Sequence, residues 1–232
     1  MLTHIRSETD LDAALYALSR AEPRFGALIA EAGRPPLRRR PDGFAGLAAT
    51  VVSQQLSTAS AGAIWGRLAA AFDPFEPAAI LRARAARLAR LGLSAPKIKA
   101  LKEIARAVDR GELALAALVD AAAEEAHTAL TAVHGIGPWT ADIYLLSCLG
   151  HADAWPAGDL ALQEAARLAF ALKARPSAKD MVSLAEPWRP LRGVAARVLW
   201  TYYRAVKRRD GAPVAPKAPP KKVSPKRAGN GR

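Results

Sequence analysis

The stretch Ala126-His-Thr-Ala-Leu-Thr-Ala-Val133-His-Gly-Ile-Gly-Pro138-Trp-Thr-Ala-Asp-Ile-Tyr-Leu-Leu-Ser-Cys-Leu149 decides the fold. It reads as one helix running into Val133, a tight turn at Gly135-Ile136-Gly137, and a second helix opening at Pro138. Proline suits a first helical turn, because the N–H it lacks would have no intrahelical partner there. Gly135 and Gly137 permit positive φ and leave the backbone open to close approach by another molecule. The amides of such a turn, together with the N-terminus of the following helix, form a phosphate cradle. Taken alone, a Gly-x-Gly before a helix is also an ordinary way to connect two helices.

Outward from the turn the pattern stays helical. Phe44, Leu47, Ala48, Val51 and Val52 fall at i, i+3, i+4, i+7 and i+8, with Asp42 available as N-cap. Gln55 continues that stripe at i+11, a polar side chain where a core residue is expected. Ile98, Leu101, Ile104, Ala105 and Val108 make a second stripe, and Leu191, Val194, Ala195, Val198, Leu199 and Tyr202 a third. No alternating apolar–polar run bounded by hairpin turns occurs, so the predicted fold class is all-α. Besides the hairpin turn, the helices are punctuated by the basic, proline-bearing segment 34–41, the turn Asp73-Pro-Phe-Glu-Pro77, Gly92 to Pro96, and Trp155-Pro-Ala-Gly158. Segment 1–41 is expected to form a short helical region ending in that basic loop, and 42–206 the core.

Composition bounds the function. Alanine supplies much of the 51% apolar content, and it favours helix because it loses no side-chain entropy there. A net charge of +13 and a pI near 10.5 suggest a polyanionic partner. Lys207 to Arg232 holds nine Lys or Arg against the single acid Asp210, so +8 of that charge lies in a proline-rich tail read as disordered. One cysteine, Cys148, excludes an intramolecular disulfide and a Cys-rich zinc site, and it reads as a buried thiol. No apolar run approaches the ~20 residues of a membrane span. The N-terminus carries Glu8, Asp10 and Asp12 and does not read as a signal peptide. A cytoplasmic, nucleoid-associated monomer is expected.

The continuation of the turn makes it specific. Gly135-Ile-Gly-Pro-Trp-Thr-Ala141, then Asp153, then Pro156-Ala-Gly-Asp-Leu160 resemble, in that order, the helix-hairpin-helix and the Gly/Pro-rich loop with Asp of the DNA glycosylase superfamily. Val51-Val-Ser-Gln-Gln-Leu-Ser57, Leu91-Gly-Leu-Ser with Lys97, and Pro187-Trp-Arg-Pro-Leu-Arg192 leading to Leu199-Trp-Thr are similar to the DNA-3-methyladenine glycosylase II branch. The likeness covers roughly residues 42 to 205. It implies two helical subdomains flanking a DNA- and base-binding cleft. Larger members carry an N-terminal β-rich domain, which here is expected to be absent or reduced to the helical segment.

The resemblance implies that Asp159 is the catalytic carboxylate, although Gly-Asp before an apolar run is also an ordinary helix N-cap. Breaking a C1′–N bond passes through an oxocarbenium-like sugar, which a nearby carboxylate stabilises. In relatives that also cut the backbone a lysine nucleophile stands where this chain has Trp139. A monofunctional hydrolase that leaves an abasic site, without lyase activity, is therefore expected. Double-stranded DNA with an alkylated purine of the 3-methyladenine or 7-methylguanine type is the implied partner, its base flipped into a pocket lined by Trp139 and Trp200. Tyr144, further along the same helix, is a candidate for pocket or core. Electron-rich rings attract a cationic base by about 0.5–2 kcal/mol. The implied DNA face comprises Gln54, Gln55, Ser57, Lys97, His134, Gly135, Ile136, Gly137 and Thr140, with Gln55 at the position that plugs the emptied stack. No catalytic metal is expected, although a monovalent cation at carbonyls around Val133 to Ile136 is implied. Trp65, Trp155 and Trp188 read as structural. Three alternatives stay open: oxidised or deaminated bases on the same scaffold, a non-catalytic DNA-damage-binding protein, and a functional tail on an inert body.

Overall fold

The computed structural model describes residues 3–209. Twelve α-helices and no strand occur among them, with one isolated bridge between His4 and His151. α1 (Glu8–Ala21) starts at a reciprocal cap, in which the Ser7 hydroxyl accepts the Asp10 N–H and the Asp10 carboxylate accepts the Ser7 N–H. α2 (Pro23–Ala32) places proline in its first turn. The chain then runs extended to α3 (Gly43–Ser53), α4 (Thr58–Ala71), α5 (Pro77–Arg82), α6 (Ala85–Arg90) and α7 (Ala95–Asp109). After α8 (Ala123–Thr131) come α9 (Pro138–Tyr144), prolonged by a π-helical turn over Leu145–Leu149, and then α10 (Leu160–Ala169), α11 (Ala178–Ala185) and α12 (Arg192–Arg209).

The three apolar stripes bury as their spacing predicts. Phe44, Leu47, Ala48, Val51 and Val52 are buried, as are Ile98, Leu101, Ile104 and Ala105 of α7, and Val194, Ala195, Val198 and Leu199 of α12. α3 is buried on nearly every side, because α4, α7 and α9 all pack on it. Asp42 occupies the N-cap of α3 but makes no side-chain capping bond. One extrapolation fails. α3 ends at Ser53, and Gln55 takes φ 54° in the following loop, so it is an exposed loop residue and not the next rung of the stripe.

The helices form two groups. α3 to α9 pack around one another, while α1 and α2 pack with each other and with α12, against which α10 also lies. Two helical subdomains thus flank a cleft, and the N-terminal helices join the C-terminal one physically. Ile5 N–H donates to the Gly150 carbonyl at 2.7 Å and Ala152 N–H to the Thr3 carbonyl at 2.9 Å, tying the chain start to the segment after the π turn. α12 runs to Arg209, three residues into the stretch read as tail; 210–232 lies outside the described residues. Among the described residues no helix is long and apolar enough to cross a membrane.

Candidate active site

The segment between Gly150 and Asp159 has no regular structure, so its placement rests on side chains. Asp153 accepts the main-chain N–H of Arg192 at 3.2 Å and two bonds from its guanidinium at 2.9 and 2.7 Å, and Arg189 adds another at 2.9 Å. The Asp153 of the motif is therefore a bracket holding the segment to the start of α12. Gly193 permits a close approach, since a Cβ there would lie 2.8 Å from the Ala152 carbonyl oxygen. Trp155 donates its indole N–H to the Met181 carbonyl at 3.0 Å, and Gln163 caps the Ala157 carbonyl at 2.9 Å. This segment delivers Asp159 to the N-cap of α10, half-buried.

Three donors then fix the carboxylate. Oδ1 accepts the Leu162 N–H at 2.8 Å and the Trp200 indole N–H at 3.2 Å; Oδ2 accepts the Trp139 indole N–H at 2.8 Å. Capping and a functional role coexist here, because a carboxylate has about four lone-pair sites and these bonds use three. All three donors are neutral, so they orient the charge without cancelling it. The indoles expected as pocket walls thus also clamp the carboxylate, a role that residue spacing does not reveal.

Trp139 and Trp200 line a cleft of about 570 Å³ between the two helix groups. Trp65 lines it too, its ring tilted against Phe75 with centroids 4.9 Å apart, so this ring read as structural also borders the cleft. Leu56, an exposed leucine in the loop after α3, stands at the same cleft. Tyr144 does not. It has no exposed surface and sits in the core, because its place on α9 faces α3, so its pocket assignment is corrected. Trp155 and Trp188 are buried against each other edge to face at 5.6 Å. Cys148 is fully buried, which pushes its thiol up to about 11.

At the hairpin, His134 and Gly137 are exposed, while Ile136 is buried and its N–H closes the turn onto the Val133 carbonyl at 3.1 Å. Thr140 is also buried and accepts the Gln54 amide at 2.7 Å. The side chains of Ile136 and Thr140 therefore pack inward and do not face solvent, where DNA would lie. Gln54 instead ties the loop after α3 to the first turn of α9. Lys97 reaches back to the carbonyls of Val52 and Gln54, both at 2.8 Å, satisfying the end of α3. Burial lowers its pKa, and with two of its donors spent on carbonyls it braces the loop and does not extend as a surface cation. Ser57 is exposed and caps α4 through the Ser60 N–H. Among the described residues no group of three or more His, Cys, Asp or Glu is arranged to hold a metal. For the monovalent cation implied by the resemblance, the turn offers main-chain carbonyl oxygens, a donor type that hard cations accept.

A second cavity of about 790 Å³ borders the other side of α9. Asp142 lines it, with His127 Nε2 3.7 Å from its Oδ1. Burial raises the Asp142 carboxyl to about 7, partly offset by Arg192. A folded-state pKa above the unfolded value means that the native state holds the extra proton. Stability is then fully present below the unfolded value and falls as pH rises towards 7, by up to about 1.4 kcal/mol per unit. Asp142→Asn is expected to melt close to the parent only below about pH 4, to melt above it already at pH 5, and to exceed it by more at pH 8. A melting-temperature difference that does not grow between those pH values contradicts this.

The family profile of the HhH-GPD superfamily base excision DNA repair proteins matches residues 48–190. The alkylbase DNA glycosidase-like protein mag2 of Schizosaccharomyces pombe is 26% identical over 200 residues, 83% of this chain and 94% of that protein. The DNA-3-methyladenine glycosylase of Bacillus subtilis is 28% identical over 174 residues, 69% of this chain but 57% of that protein, so the match spans little more than half of it. Among solved structures, the 3-methyladenine DNA glycosylase Mag1 of Schizosaccharomyces pombe in complex with abasic DNA superposes with a TM-score of 0.74 at 29% identity. The overlap covers 81% of this chain and 95% of that one. A helical bundle in two groups, a glycine hairpin and a carboxylate clamped by two indoles that line a cleft are thus accompanied by family-level sequence similarity: the chain belongs to the HhH-GPD superfamily of base excision DNA repair glycosylases.

Proposed function

We propose that this glycosylase excises alkylated purines by hydrolysis and leaves an abasic site. The observation that carries the reading is Asp159, held by the indole N–H groups of Trp139 and Trp200, both of which line the cleft. A flipped purine stacks among Trp139, Trp200 and Trp65, with its deoxyribose towards Asp159. As the C1′–N bond lengthens, the sugar gains positive charge and the carboxylate stabilises it. The same group orients the attacking water, and its lone pair not used by the three donors is free for that contact. The hairpin grips a phosphate through the backbone around Gly137, and the loop of Gln55, Leu56 and Ser57 meets the distorted strand.

Hydrolysis without strand cleavage is supported by the cleft's composition. Lyase chemistry needs an amine at C1′, and among the described residues no lysine lines the cleft. The position after Pro138 holds tryptophan, and the Lys97 amine is bonded to two carbonyls. The test is a set of duplexes, each with one 3-methyladenine, 7-methylguanine, hypoxanthine or 8-oxoguanine, scored for base release and for strand breaks before and after alkali. Release of methylated purines with breaks only after alkali is expected. Breaks without alkali contradict the hydrolytic assignment, and release of 8-oxoguanine alone contradicts the alkylpurine one.

A further inference from the structure

One wall of the cleft comes from outside the glycosylase motifs. It is built on the basic loop 34–41, which precedes the residues matched by the family profile. Arg38, Arg39 and Arg40 of this loop line the cleft with Arg197 and Arg204 of α12, and among the described lining residues there is no acid. Asp159, bonded behind its two indole donors, sets one carboxylate against these five guanidinium groups. The loop is stitched to the π turn, whose end leaves carbonyls without intrahelical donors. The Leu146 carbonyl accepts the Arg197 guanidinium at 2.8 Å, that of Ser147 the Arg40 main-chain N–H at 2.8 Å, and that of Cys148 the Arg39 guanidinium. A Cβ on Gly46 would lie 2.0 Å from the Pro41 carbonyl oxygen, so the loop also packs closely on α3.

Within this wall Arg38 has a fixed main chain and an uncommitted side chain. Its N–H donates to the Pro36 carbonyl at 2.9 Å, and its own carbonyl accepts the buried Arg197 guanidinium at 3.4 Å. Its side chain is exposed and makes no hydrogen bond or ion pair among the described residues. Arg34, at the start of the same loop, differs: Glu8 and Asp12 each hold its guanidinium at 2.6 Å. So many like charges around a cleft oppose entry of a cationic base unless an anion enters with it. The DNA strand supplies that anion. A nucleotide swung out of the stack carries its backbone phosphates to the cleft. An exposed guanidinium pairs with such a phosphate through two parallel N–H bonds.

We infer that Arg38 binds a backbone phosphate of the lesion strand next to the flipped nucleotide, which makes segment 34–41 a DNA-contacting element separate from the glycine hairpin. The inference rests on the glycosylase reading above, which puts the flipped nucleotide in this cleft. The anchored main chain limits what the side chain loses in freedom when it docks. Arg38 holds the strand and takes no part in breaking the C1′–N bond, so its removal weakens binding and leaves release from the saturated complex near the parental rate.

The test is a binding cycle on duplexes in which a tetrahydrofuran replaces the damaged nucleotide. In each duplex one lesion-strand phosphate beside it, on either side in turn, is made a neutral methylphosphonate. The parent, Arg38→Gln and Arg34→Gln are titrated, and melting temperatures check that the variants fold. On the all-phosphate duplex Arg38→Gln should bind roughly tenfold more weakly, the low end for a hydrogen bond to a charged group. Its slope of log affinity against log salt should become shallower by about 0.9. At one position the methylphosphonate should weaken the parent by a similar factor and Arg38→Gln hardly at all. Arg34→Gln removes the same net charge from a group already paired, so it should stay within about twofold of the parent. Losses that multiply at every position, or an Arg34→Gln as weak as Arg38→Gln, would mean a diffuse field without a contact; that overturns the inference and leaves the glycosylase reading standing. A parent that binds the tetrahydrofuran duplex no more tightly than an undamaged one takes the flipped nucleotide out of the cleft, and both fall.

Discussion

Asp159→Asn is expected to lose base release by at least ~10²–10³-fold, the scale on which removing one preorganised charge contact acts, while affinity for lesion duplex stays close to the parent's. The amide is nearly the same size, so the cleft keeps its shape. Its single oxygen cannot serve both sides of the clamp: facing Leu162 it preserves the α10 cap and turns the NH2 towards the Trp139 indole N–H, donor against donor. A stability cost of about 1 kcal/mol accompanies this, the usual worth of a cap. Single-turnover release with duplex affinity measured in parallel separates the two effects. Loss of binding in proportion to loss of release would make Asp159 a docking residue and contradict its catalytic role.

The two hairpin glycines should respond differently, for different physical reasons. At Gly135 φ is +98°, and a Cβ would lie 2.7 Å from the Ala100 Cβ and 2.9 Å from its Cα, on the packed helix α7. Gly135→Ala therefore combines left-handed strain of about 1–2 kcal/mol with overpacking of about 1–3 kcal/mol. A fall in melting temperature of roughly 5–15 °C should follow, and DNA affinity should drop because the turn is displaced. At Gly137 φ is −84° and a Cβ meets nothing within 4 Å inside the protein. Gly137→Ala should melt within about 1–2 °C of the parent, since an exposed site with tolerable dihedrals costs little. If glycine is needed there so that a phosphate can approach, that variant nevertheless loses duplex affinity. Thermal melting and binding titrations on both variants check this; Gly137→Ala with parental affinity would remove the phosphate from that turn.

Much of this was legible in the residues. The stripes of α3, α7 and α12 bury as spaced, because packing against a core imposes the 3.6-residue period on sequence. The hairpin with its Pro138 start was readable from local dihedral chemistry, as was the Asp159 cap. What resisted reading is contact across the chain. Periodicity carried the α3 stripe on to Gln55, but the helix stops at Ser53, where Lys97 closes off its carbonyls from more than forty residues away. Lys97 and Thr140 look like DNA contacts in sequence, yet one braces that helix end and the other receives Gln54. Tyr144 lies on a helix with one face to the core and one to the cleft, and its residue type does not say which it takes. The arginine loop has no period at all, so its place in the cleft wall emerges only when the π turn's carbonyls are seen to hold it.

The central claim, that a fixed negative charge faces a deoxyribose turning positive, is tested most directly by binding, free of turnover. Affinity is compared for duplexes carrying a cationic pyrrolidine or a neutral tetrahydrofuran in place of the damaged nucleotide, in the parent and in Asp159→Asn. A transition-state-like charge should be bound more tightly than its neutral counterpart. The parent is expected to prefer the pyrrolidine by at least roughly tenfold at moderate salt, and the variant to lose that preference. An equal preference in both proteins would mean that the carboxylate does not sense the sugar's charge.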